Sequence, residues 1–256
     1  MKTSRQTRRT SLNSAIDLHA PASWEELTQE QLDDVCTFSG LERSTEYVKT
    51  LLLMKWNGLA VVTGRNFPNV FGCVWLRKDG TVYNVGTEEM AAAVATLDFL
   101  DEPPQNPMRP EELRGFAAVR ADIQDLPFGR YLTLENCYQG FLSTRNGKAL
   151  DYAAGILYPG FEGELEARER YMLLLWLAGL KNLLSRVFCE LFRPGEGAAA
   201  YDTPTQHDIM VAQMRALTGG DVTKMQAVRD AATWDSLEEL NGKAREARER
   251  QAKIKH

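Results

Sequence analysis

Tyr171-Met172-Leu173-Leu174-Leu175-Trp176-Leu177-Ala178-Gly179-Leu180 is the longest apolar run in the chain. A bilayer span needs about 20 such residues, so this run reads as a core helix and not as a membrane segment. Its centre, Met172 to Leu177, is apolar on every face. A helix of that kind must be surrounded by protein, which places it in the middle of a helical bundle. The helix is expected from about Glu164 to Phe192, the longest in the chain, and Arg193-Pro194-Gly195 should end it.

Working back from the bundle centre, a helix is expected from about Lys148 to Leu157, closed by Tyr158-Pro159-Gly160. Before it, after Pro127-Phe128-Gly129, the residues Leu134, Cys137, Tyr138, Phe141 and Leu142 recur at i, i+3, i+4, i+7 and i+8, a full apolar stripe. Past the bundle centre, residues 195–203 (GEGAAAYDT) read as a connector. A helix from Pro204 to Leu217, a short one after Asp221 and a last one from Trp234 to about Lys253 should follow, with proline suited to a first turn. In the last helix Leu237, Leu240 and Ala244 give a narrow stripe that fades into a solvated charge run, KAREARERQAKIKH.

The first hundred residues read differently. Ser23-Trp24-Glu25-Glu26 and Thr28-Gln29-Glu30-Gln31 both fit a capping box, and a further helix from Ser44 should stop by Gly58. Val70 to Leu76 and Thr81 to Val85 are β-branched and aromatic and flank Lys78-Asp79-Gly80. Asp-Gly supplies the positive φ angles of a tight hairpin, with Leu59 to Thr63 as a candidate third strand. Helix returns at Thr87, whose hydroxyl is expected to cap a run to about Leu100. Asp101-Glu102-Pro103-Pro104, with Pro107 and Pro110, reads as an extended linker and the place for a boundary.

The resulting fold class is mainly α, a helical bundle with a small β-hairpin insertion near residues 59–85 and a helical C-terminal extension. Its expected divisions are a disordered basic tail (1–20), a helix and hairpin subdomain (21–102), a helical core (111–194) and a helical C-terminal region (203–256). At 256 residues, 44% hydrophobic and 25% charged, the chain can bury its core without metals or disulfides. Cys36, Cys73, Cys137 and Cys189 form no C-x-x-C pair and sit among apolar residues, so buried free thiols are expected. The N-terminus lacks an apolar signal region, which predicts a cytoplasmic protein.

Chemistry is thinly signalled. Of His19, His207 and His256, only His207 is placed to act, and Gln206 and Asp208 face other sides of its helix. No zinc or calcium pattern occurs, and Gly219-Gly220-Asp221-Val222-Thr223-Lys224 lacks phosphate-loop spacing, so it reads as a helix C-cap followed by an N-cap. Acid pairs such as Glu25-Glu26, Glu111-Glu112 and Glu238-Glu239 sit near helix starts or on charged faces. No catalytic residue, cofactor or metal is therefore expected. Binding remains, with Trp24, Trp234, Leu237 and Leu240 as candidate partner anchors, although the two tryptophans could equally dock onto the chain's own body. The net charge of −5 disfavours a whole-surface nucleic-acid binder. Lys2, Arg5, Arg8 and Arg9 leave the alternative of a basic arm that contacts phosphates.

The stretch Met214-Arg215-Ala216-Leu217-Thr218-Gly219-Gly220-Asp221-Val222-Thr223-Lys224, with Val228, Trp234, Leu237, Leu240 and Ala244, resembles segments of phage and prophage tail-assembly proteins. It is most similar to the helical assembly chaperones that accompany tape-measure proteins. Trp24 to Leu32 and Leu126 to Leu132 resemble proteins encoded in prophage-like regions of Bacteroidetes-type genomes. The hairpin around Asp79-Gly80 departs from a purely helical chaperone. The resemblance implies a non-enzymatic role in virion or tail assembly in the host cytoplasm or on the virion. Its implied partners are other phage structural or assembly proteins, a tape-measure protein among them; homo-oligomerisation stays open.

Overall fold

The computed structural model describes residues 16–39, 43–64, 67, 72–193 and 205–254. The chain is mainly α-helical with a small antiparallel sheet, and it divides into two compact units, Met1–Glu102 and Pro103–His256. The region 203–256, expected as an extension, lies in the same unit as 111–194.

In the first unit α1 (Gln29–Ser39) opens on the expected capping box: the Gln31 amide donates to Thr28 Oγ1 (3.1 Å) and the Thr28 amide to Gln31 Oε1 (3.0 Å). Ser23 makes no such cap, and Trp24–Glu26 is only a 3-10 turn. Helix α2 (Thr45–Trp56) is capped by Ser44 and packs on α1. Two charged groups are buried here, each with partners. Asp34 accepts from the Lys55 ammonium and from the Trp56 indole (3.1 Å). Lys49 Nζ lies 2.7 Å from Asp98 and 2.6 Å from Asp101. Burial pushes the Lys49 pKa down, but the two carboxylates outweigh it and hold the ammonium charged.

Strands β1 (Ala60–Val61), β2 (Cys73–Lys78) and β3 (Thr81–Gly86) form an antiparallel sheet in that order. Asp79 (φ 48°) and Gly80 (φ 79°) make the two-residue turn, setting Lys78 opposite Thr81 and Val74 opposite Val85. Leu59, Leu76 and Val85 form a small core against which Ile16 and Leu18 pack. Order therefore reaches into the expected tail: Asn57 exchanges two hydrogen bonds with the His19 backbone, both 2.8 Å. Val70 and Phe71 lie outside the described residues. Helix α3 (Thr87–Ala95) starts one residue earlier than a Thr87 cap would require. Gly86 holds the cap position without a side-chain bond, and a separate 3-10 turn, Asp98–Asp101, replaces the last expected turn.

The second unit is built around α6 (Ala167–Val187), which ends at Phe188, before the expected Phe192. At 21 residues it is one shorter than α9 (Thr233–Ile254), so among the described residues it is not the longest helix. Its apolar centre is covered as expected. Trp176 is fully buried, donates its indole N–H to Ala121 O (2.9 Å) and meets Tyr158 edge-on (5.7 Å). The stretch read as a linker crosses α6 directly: Asn182 donates to Pro104 O (2.9 Å) and Arg186 to Asn106 Oδ1 (2.7 Å). Gly179 makes that crossing possible, since an added Cβ would stand 2.3 Å from Asn106 O.

Helices α4 (Phe128–Thr144) and α5 (Gly147–Leu157) form a hairpin turned at Arg145 (φ 57°), with Asn146 capping α5. The stripe expected on α4 is only partly used. Its burial is concentrated at Phe128, Tyr131, Leu132 and Leu134, while Cys137, Tyr138 and Phe141 are half-buried and Leu142 is exposed. A second small hairpin, β4 (Glu112–Leu113) with β5 (Phe116–Ala117), turns at Arg114 (φ 49°) and Gly115. It delivers Arg114 to the buried Glu169 carboxylate, with Nε donating at 2.8 Å.

A pair of glycine substitutions tests the crossing on α6. Gly179→Ala should lower stability by about 1–3 kcal/mol through overpacking, despite alanine's better helix propensity. Gly140→Ala, on α4 with open space at the added Cβ, should raise it by roughly 0.5–1 kcal/mol. Urea unfolding of both variants reads the opposite signs. The Glu169 carboxyl gives a pH test. Burial pushes its pKa up, but the Arg114 hydrogen bonds and the Glu166 amide hold it below the ordinary value. A depressed folded pKa contributes stability above the unfolded value of about 4.3 that is lost as pH falls through the folded one. The stability gap between the native chain and Glu169→Gln should therefore narrow on acidification below that value.

Candidate functional site

Three helical elements of the second unit leave an apolar groove of about 770 Å³. Its walls are the start of α4, helix α7 (Gln206–Thr218), and the 3-10 turn Val222–Lys224 leading into α8 (Met225–Asp230). Local capping places each wall. Thr205 and Asp208 form a reciprocal capping box at the start of α7 (3.0 and 3.2 Å). The expected Pro204 start and the 195–203 connector lie outside the described residues. Gly219 (φ 64°) and Gly220 (φ 86°) end α7, and Asp221 accepts from the Thr223 amide (3.0 Å) to begin the next turn. The Phe128 amide donates to Ala231 O (2.8 Å), tying the end of α8 to the start of α4. A Cβ at Gly129 would lie 3.1 Å from Arg229 Cβ, so glycine permits this close packing.

Leu132, Met214 and Thr218 form the buried floor, and Met210 and Met225 the half-buried walls. Val211 and Val222 stand at the mouth, 51% and 74% exposed. The two floor hydroxyls donate to backbone carbonyls of their own helices, Thr133 to Gly129 O (3.0 Å) and Thr218 to Met214 O (2.9 Å). Charge is confined to the rim. Arg130, Arg215 and Arg229 are exposed there, and none forms an ion pair with a described residue. Among the described residues the one carboxylate lining the groove is Asp230, which accepts two bonds from Gln226 Nε2 (3.0 Å each).

His207 does reach this groove, as an exposed rim residue. Among the described residues no acid hydrogen-bonds its imidazole. Its neighbour Asp208 is engaged by Thr205, whose hydroxyl holds that carboxyl below its usual pKa. Other carboxylates are engaged in ion pairs, among them Asp151 with Arg170 (3.0 Å) and Glu135 with Lys181 (2.9 Å). Among the described residues no group of three or more His, Cys, Asp or Glu side chains comes together as a metal site, and no helix is long and apolar enough to cross a membrane.

Of the residues expected as partner anchors, three are core residues and Trp234 is half-buried. Trp24 is buried, packs edge-on against Phe99 (5.7 Å) and donates to Glu102 O (2.9 Å). Leu237 and Leu240 are buried. Trp234 donates to Asp122 O (2.8 Å) and packs on Phe188 (5.4 Å). A helix start carrying tryptophan here means docking onto the chain's own body. Lys2, Arg5, Arg8 and Arg9 lie outside the described residues. Sequence reasoning passed over Met210, Met214, Met225 and the three arginines. A signal was present: α7 carries Ile209, Met210, Val211 and Met214, more apolar residues than one buried stripe uses, and only Met214 of these is buried.

No family model, curated protein or solved structure matches the chain. The thiols also depart from expectation, because Cys36 is buried whereas Cys189 is exposed. With an aromatic disulfide reagent under native conditions Cys189 should react first and Cys36 only on unfolding, read as thiolate release before and after urea.

Proposed function

We propose that this chain is a non-enzymatic assembly protein of the phage or prophage type, acting through protein contacts at the groove between α4, α7 and α8. The observation that carries the binding reading is the lining: methionine on both walls, an apolar floor whose hydroxyl protons are already donated, and charge only at the rim. Small-molecule sites rely on a few inward polar groups to orient a ligand. Protein interfaces instead combine an apolar centre with a polar margin, and unbranched methionine adapts to a partner's side chains. The phage assignment rests on the sequence resemblance of Met214 to Lys224, which forms the end of α7 and the following turn. Five of those residues, Met214, Arg215, Thr218, Gly220 and Val222, line the groove.

Pairwise mixing of the purified chain with the products of its neighbouring genes tests this reading. One of them, a tape-measure protein first, should form a stoichiometric complex at micromolar concentration by size exclusion. Val211→Asp, at an exposed position, should weaken it by about tenfold or more while leaving the helical circular dichroism unchanged. A chain that binds none of these products overturns the assignment.

A further inference from the structure

The groove's own geometry narrows the partner beyond the proposed function, on which this inference rests. Its long walls are helices, whose backbone groups are hydrogen-bonded internally. They offer no sheet edge to which an extended strand could add. Affinity must therefore come from side chains, the situation in which an amphipathic helix lays its apolar face into a groove. Helix α7 has 13 residues, a length of about 20 Å, which matches three to four turns of an incoming helix.

The rim then sets the partner's charge. Arg130 on α4, Arg215 on α7 and Arg229 on α8 stand on the three walls, against one carboxylate, Asp230, among the described residues. The chain as a whole carries −5, so this face opposes the sign of the molecule. At physiological ionic strength screening acts within about 8 Å, and a docked helix would sense the local arginines more than the distant net charge. Guanidinium groups in an open position favour carboxylates that can be gripped in a bidentate manner. The chain's own basic segment, with Lys2, Arg5, Arg8 and Arg9, has the wrong sign to be the occupant.

We infer that the groove receives an acidic amphipathic helix of another protein, with leucine or methionine at i, i+3, i+4 and i+7 and Asp or Glu flanking that face. The test uses the full chain and two fluorescent synthetic helices of about 18 residues. Both carry the same apolar face, one flanked by glutamate and the other by lysine. By fluorescence anisotropy the glutamate peptide should bind about tenfold or more tighter than the lysine peptide, and its advantage should shrink as salt rises. Arg215→Glu with Arg229→Glu, both at exposed positions, should invert the preference with the circular dichroism unchanged.

Equal binding of both peptides, lost together in Val211→Asp, would overturn the acidic partner while leaving the groove as a docking surface. Binding of neither peptide by a chain that does bind a neighbouring gene product would overturn the helix inference alone. Two further outcomes count against it: a dimer of this chain dispersed by Val211→Asp, and saturable binding of laurate in the groove without peptide binding.

Discussion

Helix α6 has no polar face between Met172 and Leu177, and the unit around it is arranged to keep that surface from water. Burying side chains of this size contributes roughly 1.5–3 kcal/mol each, so leaving one side open would forfeit much of a small unit's stability. The covering is specific as well as apolar. The Trp176 indole needs an acceptor inside the core and finds Ala121 O, which fixes the loop before α4. Gly179 removes the one side chain that would hold the 104–107 backbone away, and that backbone closes the remaining face. A residue absent from the helix surface thus does as much to define the packing as the leucines beside it.

Once α6 is covered, the placement of α9 follows through a few polar contacts at its first turn. Thr233 and Trp234 bind Leu126 O and Asp122 O, and Asn241 Oδ1 accepts from the Glu190 and Leu191 amides just past the end of α6. The Leu191 amide also donates to Phe188 O (3.0 Å), so Asn241 adds a second acceptor to a turn beside the core. The first unit solves the same problem with charge: an ammonium at Lys49, shielded from water, is held by two carboxylates on a 3-10 turn. Burying a lysine without such partners would cost far more than packing could recover.

The legible parts of this fold were those with local physical causes. The Thr28/Gln31 capping box, the Asp79-Gly80 turn and the apolar run of α6 each carry their conformation within a few residues. The hairpin at Arg114-Gly115 was invisible because two-residue strands show no alternation, and its reason for forming, Glu169, is 55 residues away. The apparent linker failed for a related cause. Proline fixes an extended backbone, but whether that backbone is solvated or laid across a helix depends on Gly179, far along the chain. The tryptophans were legible in part: residue type lets Trp24 and Trp234 dock on a partner or on the chain's own body, and the acceptors that engage them, Glu102 O and Asp122 O, lie far away in sequence.

The groove escaped notice for a different physical reason, since it belongs to no single segment. Met210 and Met225 lie on different helices, and Arg130 comes from 80 or more residues upstream of either. The Phe128–Ala231 bond, the glycine contact between α4 and α8 and the cap at Gly219 help bring the three walls together. What remains after packing is informative because the centre of the unit around α6 is covered. A unit that buries Trp176, Tyr158 and Phe128 completely had the means to fill this space, and the side chains it places there are flexible methionines, with arginines around them that form no ion pair with a described residue. Arginine at an open rim gains little within the chain and leaves its donors to water until an acidic group arrives. Apolar floor, adaptable walls and rim arginines are a combination that folding alone does not require, and the proposed partner helix would give each of them a role.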